Sequence, residues 1–225
     1  YMRFVIGDIH GCHKTLDKLL GILSPSKSDT IYFLGDYIDR GPDSKAVFDI
    51  IFDTIDSGIE VIALRGNHED MLLKSINSNM ISTIWINKNG GWTTLKNFDA
   101  ENVSQIPEKY IEFIKNTKYY VELPEFLLVH AGLNFTIENP FDDREAMLWT
   151  RNDVQEVDVS KTGNRPLIVG HTPVPEEKVK NSLNSAMIML DGGCVYHKHS
   201  SGLGSLCALE LDSMKLTTVT NCETS

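Results

Sequence analysis

Long hydrophobic runs are missing: no stretch approaches the ~18 apolar residues that a membrane-spanning helix requires. Cysteine is scarce. The four residues Cys12, Cys194, Cys207 and Cys222 are widely spaced and none forms a C-x-x-C pair. That excludes a disulfide-dense secreted scaffold and a zinc ribbon, and the four read as reduced thiols of a cytoplasmic protein. Basic residues are outnumbered, 21 against 31 acidic, for a net charge of −10. A general nucleic-acid binder needs a basic face, so that class and a membrane surface are set aside. A small positive pocket inside an acidic surface stays compatible with this balance. Eight prolines and sixteen glycines exclude a collagen-like or low-complexity chain. A signal-peptide pattern is also missing. The chain runs directly from Met2 into the strand-like Phe4-Val5-Ile6, and Tyr1 reads as an addition ahead of the natural start.

Short apolar runs are plentiful, and several end in chemistry-bearing residues. Phe4-Val5-Ile6 leads to Gly7-Asp8, Ile31-Tyr32-Phe33-Leu34 to Gly35-Asp36, and Val61-Ile62-Ala63-Leu64 to Gly66-Asn67-His68-Glu69. Phe126-Leu127-Leu128-Val129 leads to His130, Leu167-Ile168-Val169 to Gly170-His171, and Met187-Ile188-Met189-Leu190 to Asp191-Gly192-Gly193. Runs without alternation suit strands covered on both faces. Leu16, Leu19, Leu20 and Leu23 repeat with helical spacing, as do Ala46, Val47, Ile50, Ile51 and Ile55. Strand–helix–strand units at roughly 30-residue intervals are the βαβ signature of an α/β protein. The long step to His130 predicts two helical pieces, about 69–86 and 105–117, split by Asn89-Gly90-Gly91. Residues 69–125 are thus expected to form a mainly helical insertion flanking the active face of a single domain, 1–225. Alternation in 206–211 and 216–219 predicts a closing hairpin.

Asp8, His10, Asp36, Asn67, His130 and His171 each follow an apolar strand. All are oxygen or imidazole donors, which suits manganese, iron or zinc rather than a thiolate zinc site. Six such donors are too many for one tetrahedral ion and suit two ions sharing a carboxylate. Two divalent ions outweigh the two carboxylates Asp8 and Asp36, so the centre would be positive, would attract phosphate and would acidify bound water.

Gly7-Asp8-Ile9-His10-Gly11, Gly35-Asp36-Tyr37-Ile38-Asp39-Arg40-Gly41, Gly66-Asn67-His68-Glu69, His130-Ala131-Gly132 and Gly170-His171 together resemble the phosphoprotein phosphatase family, a branch of the calcineurin-like metallophosphoesterases. The resemblance runs from about residue 4 to 212. The stretch Trp85 to Thr94 and Leu148-Trp149-Thr150-Arg151 resemble its compact bacterial and phage members. The resemblance implies two mixed β-sheets packed as a sandwich flanked by helices. It implies two metal ions, manganese first, with iron or zinc as alternatives. Asp8, His10 and Asp36 would hold one ion; Asp36, Asn67, His130 and His171 would hold the other. His68 would be the general acid, oriented and kept cationic by Asp39. Arg40 and Arg151 would grip the phosphoryl oxygens beside Asn67 and His68. The reaction implied is hydrolysis of phosphoserine or phosphothreonine, and of phosphotyrosine as a further substrate, by direct attack of a hydroxide bridging the ions. A general acid matters because an alkoxide is a poor leaving group. Arginine's planar fork matches phosphate oxygens where lysine is a point charge.

The competing activity is hydrolysis of dinucleoside polyphosphates such as diadenosine tetraphosphate. Glu69 after Gly66-Asn67-His68, and the Asp39-Arg40 pair, lean against it. A non-catalytic metal- or phosphate-binding module would be expected to lack a ligand, His68 or an arginine, and none is missing. The substrate expected is thus a phosphorylated protein or small phosphomonoester, acted on by a monomer. Cys12, Cys194, Trp85 and Trp92 are assigned to packing. His13, His197 and His199 are assigned to the surface or loops. Tyr196 and the loop to Gly202 are candidates to touch substrate.

Overall fold

The computed structural model describes residues 1–196 and 202–223. Among the described residues nine strands form two sheets. The first five-stranded sheet is built from β1 (Arg3–Ile6), β2 (Thr30–Phe33), β3 (Glu60–Ala63), β8 (Ser205–Glu210) and β9 (Lys215–Thr220), in the order β3-β2-β1-β8-β9. The second, four-stranded, has the order β4 (Tyr120–Glu122), β5 (Leu127–Val129), β6 (Leu167–Val169) and β7 (Met187–Met189). β1, β2 and β3 run parallel, as do β5, β6 and β7, while β8, β9 and β4 pair antiparallel. Both sheets are mixed and helices flank them, as the family resemblance implies.

The continuous apolar runs are explained by two cores. Phe4, Ile6, Ile31, Phe33, Leu206 and Ala208 enter one cluster with the helices α1 (His13–Leu23) and α2 (Ser44–Asp56). Val5, Tyr32, Cys207 and Leu209 point the other way, into a cluster with Leu127, Leu128, Leu167, Ile168 and Ile188 of the second sheet. Successive residues on a strand face opposite sides, so each strand of the first sheet serves both cores. The parallel strands of both sheets therefore deliver their carboxyl ends to one edge of the sandwich, where α/β sites are built.

The predicted piece 69–86 is two helices, α3 (Asn67–Ser75) and α4 (Asn79–Lys88). The break falls where Ser78 turns extended and its hydroxyl accepts the Ile81 N–H, capping α4. Gly90 in the left-handed region starts a further helix, α5 (Gly91–Asn97), and α6 (Glu108–Lys115) matches the second predicted piece. The closing hairpin is β8–β9, in register from Ser205↔Thr220 to Glu210↔Lys215. Two later helices, α7 (Arg144–Trp149) and α8 (Glu176–Ser182), pack beside the second sheet. Among the described residues no helix is long and apolar enough to cross a membrane.

Candidate active site

Five site residues have left-handed backbones without being glycine: His10, Asp36, Asp39, Arg40 and His171. Such conformations cost energy and cluster where geometry is functionally constrained. The sharp turns they make just past the strands bring Asp8, His10, Asp36, Asn67, His68, His130 and His171 into one buried group. Close backbone approach holds the turns together: a Cβ on Gly41 would sit 1.8 Å from the His10 carbonyl oxygen.

Asp36 is the centre. Its Oδ2 lies 3.4 Å from His10 Nε2 and its Oδ1 3.5 Å from His130 Nε2. Asn67 Oδ1 lies 3.1 Å from both His130 Nε2 and His171 Nδ1. His10 and His130 direct Nδ1 to backbone carbonyls, of Ile38 at 2.8 Å and Leu34 at 2.9 Å. That contact fixes the ring and turns the other nitrogen inward. Two donor groups result, His10–Asp36–His68 and Asp36–His130–His171, with Asp36 common to both. Asp8 stands beside them: one carboxylate oxygen accepts the His171 N–H at 2.8 Å, and Oδ1 is buried without a hydrogen-bond partner among the described residues. His68 Nε2 and His171 Nε2 are likewise unpartnered.

The electrostatics suit cations. Burial works to raise the Asp36 carboxyl, but His130, His68, His10 and His171 together outweigh it and hold Asp36 far below the usual range. Burial, reinforced by Arg40, holds His10 well below the ordinary imidazole value; burial lowers His130 and, with His130 next to it, takes His171 down to about 3. These three imidazoles therefore offer lone pairs at neutral pH. Burial, then Asp191 and Asp36, push Asp8 up, the response of a carboxylate whose neighbours are carboxylates. Unpartnered inward atoms, neutral imidazoles and crowded carboxylates fit a pair of cations sharing Asp36.

His68 serves differently. Its Nδ1 is 2.6 Å from Asp39 Oδ2, leaving Nε2 buried and free of a partner among the described residues, and the residue lines a cavity of about 120 Å³. Arg40, Arg151, Asn89, Trp149 and Tyr196 line that cavity together with Asp36, Asn67, His68 and His171. Arg40 Nη1 reaches His10 Nε2 at 2.8 Å, and its guanidinium lies 5.7 Å from the Tyr196 ring. A larger groove of about 750 Å³, lined in part by Phe135, Asp143 and Glu145, meets the cavity at Trp149 and Arg151.

Every residue singled out from the sequence for metal, acid or phosphate duty lies at this edge. Trp85 does more than pack, since its Nε1–H donates to Asp39 Oδ2 at 2.7 Å. Glu69 is fully buried and accepts the N–H groups of Asp36, Tyr37 and Gly66 at 2.9–3.0 Å, so it braces two loops rather than facing the cavity. It stands three residues past Gly66 at the start of α3, and its carboxylate caps the Gly66 N–H at 3.0 Å, the glutamate half of a capping box to which glycine adds no side-chain bond. Asp191 was visible as a polar strand end and lies buried next to Asp8. Trp92 is exposed, and His13 opens α1 away from the cavity. His197, His199 and most of the loop from Tyr196 to Gly202 lie outside the described residues.

The profile of the calcineurin-like phosphoesterases matches residues 3–200. The chain is 28% identical over 218 residues to the asymmetrical bis(5'-nucleosyl)-tetraphosphatase PrpE of Oceanobacillus iheyensis, covering 85% of this chain and 84% of that protein. It is 36% identical over 109 residues to serine/threonine-protein phosphatase 1 of Salmonella typhimurium, about half of each protein (48% and 47%). A solved serine/threonine phosphatase of Saccharomyces cerevisiae superposes with a TM-score of 0.66 at 16% identity, over 100% of this chain and 80% of that one, and shares the fold.

Proposed function

The chain belongs to the calcineurin-like phosphoesterase family, and from that premise we propose that it is a phosphoprotein phosphatase that hydrolyses phosphoserine and phosphothreonine monoesters, with phosphotyrosine as a further substrate. The observation that carries this reading is the cavity of about 120 Å³, which accommodates one phosphoryl group between Arg40, Arg151 and the Asp39-oriented His68. Asp8, His10 and Asp36 would hold one cation, and Asp36, Asn67, His130 and His171 the other, manganese being the first choice. When bound, the two ions supply Lewis acidity that lowers the pKa of coordinated water to about 7 and offsets phosphoryl charge.

The chain's own residues do the remainder. Arg40 and Arg151 are both exposed at the cavity wall, so they can close on equatorial oxygens of a phosphoryl group held there. Asn67 Oδ1 lies 3.1 Å from His130 Nε2 and His171 Nδ1, as ligand atoms of one cation would, leaving its amide N–H groups for the phosphoryl group. His68 hands a proton from Nε2 to the leaving oxygen as the bond to phosphorus breaks and its electron pair stays on that oxygen. A water oxygen bonds phosphorus from the opposite side and gives up one proton to solvent, which replaces the one His68 delivered, so the products are the free alcohol and inorganic phosphate. His68 is assigned as acid rather than ligand because Asp39 engages Nδ1 at 2.6 Å and leaves Nε2 unpartnered on a residue that lines the cavity.

His68→Asn is expected to lower kcat by about 10²–10⁴-fold on phosphoserine peptides. The loss should be much smaller on 4-nitrophenyl phosphate, whose leaving group needs no proton. Equal losses would reject the assignment.

A second reading, hydrolysis of dinucleoside polyphosphates, is favoured by the similarity to the tetraphosphatase over 85% of the chain. Glu69, which leaned against that reading in the sequence, loses weight as a discriminator because it is buried behind the loops. The manganese-loaded protein decides between them. A higher kcat/KM for a phosphoserine peptide than for diadenosine tetraphosphate is expected, and the reverse order would replace the first reading with the second.

A further inference from the structure

Asp39 carries more hydrogen bonds than an orienter of one histidine requires. Its Oδ2 accepts from His68 Nδ1 at 2.6 Å and from Trp85 Nε1 at 2.7 Å, and its Oδ1 accepts from Thr94 Oγ1 at 2.6 Å. Thr94 Oγ1 also accepts the backbone N–H of Asp39 at 3.0 Å. Trp85 and Thr94 are both fully buried and come from α4 and α5, the helices on either side of Gly90-Gly91.

The turn between these helices is built for contact with the same segment. A Cβ on Gly91 would lie 2.5 Å from the Trp85 indole, so only glycine lets α5 rest on that ring. A Cβ on Gly90 would lie 2.8 Å from the Arg40 backbone nitrogen and 2.9 Å from its Cγ. Further along α5, Asn97 accepts the Ser44 N–H at 2.8 Å and donates to the Pro42 carbonyl at 2.7 Å. The held segment is strained, with Asp39 at φ 72° and Arg40 at φ 68°. Two consecutive left-handed residues persist only when their surroundings over-determine them.

We propose that the α4–Gly90–Gly91–α5 hairpin is a clamp that sets the general acid, with Trp85 and Thr94 as positioning residues acting through Asp39 on the proton His68 delivers. The proposal rests on the phosphoesterase reading and on His68 as proton donor. Three donors on one carboxylate leave it a single orientation, so the His68 ring has a single plane and Nε2 a single direction. Losing one donor lets the carboxylate rotate, and the proton misses the leaving oxygen. Metal ligands and phosphate contacts are untouched by that change.

Trp85→Phe keeps the ring and removes the N–H; Thr94→Val keeps the shape and removes the hydroxyl. For each, kcat on phenyl phosphate is expected to fall about tenfold, the value of one hydrogen bond to a charged group. KM on both substrates, and kcat on 4-nitrophenyl phosphate, are expected to stay within about twofold, because binding and the unassisted departure are unaffected. Thr94→Ser should restore the wild-type ratio between the two substrates. In a His68→Asn background, Trp85→Phe should cause no further loss. Equal losses on both substrates, no loss on either, or an additive loss without His68 would each overturn the proposal. A readout on the wild-type chain guards against variants that fail to fold. Among the three indole N–H proton resonances of the wild-type chain, that of Trp85 should lie downfield of the other two; a Trp85 resonance at the ordinary indole position overturns the proposal too. Wild-type protein that hydrolyses no aryl phosphate when manganese-loaded would instead reject the phosphoesterase reading.

Discussion

Asp191 shows how a single side chain can burden the fold that carries it. Burial, opposed by the Gly193 N–H on its Oδ1, pushes its carboxyl up to about 7. An unfolded aspartate titrates near ~3.9. Between about pH 4 and 7 the folded chain therefore holds a proton that the unfolded chain has released, and stability drains away as pH rises through that window. Asparagine at this position keeps the oxygen that accepts from Gly193 and removes the titration. Asp191→Asn is expected to raise the Tm of chelator-treated protein more at pH 8 than at pH 5; an equal change at both would show that Asp191 is not the group responsible. The candidate metal ligands were legible at this scale because each follows an apolar run in a glycine-marked turn, whereas the roles given to His68, Arg40 and Arg151 came from the resemblance of their motifs, Arg151 standing just past the helix α7 with no glycine beside it. Glu69 and Trp85 were not read for what they do. A buried hydrogen bond to a partner 46 residues away, as between Trp85 and Asp39, has no local signature.

Elements meet at the site through backbone-to-backbone contact, which makes their loops intolerant of added volume. The loop after β1 and the loop after β2 touch where Gly41 faces the His10 carbonyl, with 1.8 Å available to a Cβ. Gly41→Ala is expected to cost about 1–3 kcal/mol, the usual range for overpacking, read as a lower midpoint in urea at unchanged slope. A variant as stable as wild type would mean the two loops slide freely. Beneath this contact an aromatic cluster ties elements distant in sequence. Tyr37, next to the shared carboxylate, packs on Phe48 and Phe113 and donates its hydroxyl hydrogen to the Leu64 carbonyl at 2.7 Å. The βαβ alternation and the closing hairpin were evident from periodicity. The division at Ser78, the helix α5 and the three-residue strand β4 were not, since short elements hold too few repeats for a period to register.

Across the whole molecule, the two sheets contribute equally to one edge, three parallel strand ends from each. That edge gathers Asp8, Asp36 and Asp191 in buried surroundings, so cations that bind there remove repulsion as well as add bonds. Manganese at one hundred times its Kd is expected to stabilise the fold by about 2.7 kcal/mol for each site filled, roughly 5–10 °C per site for a chain of this length. Thermal unfolding after chelation and on titration back with manganese measures it, and a Tm indifferent to both treatments would argue that the ions do not bind. The linear chain by itself determined the fold class, the order of the site motifs and the choice of candidate donors, because these follow from hydrophobic period and from residue type. Only the tertiary structure decided that Asp36 stands between both donor groups, that Glu69 faces away from the cavity and that the hairpin around Gly90 reaches Asp39. Those relations join residues tens of positions apart, and they exist only once two sheets are packed face to face.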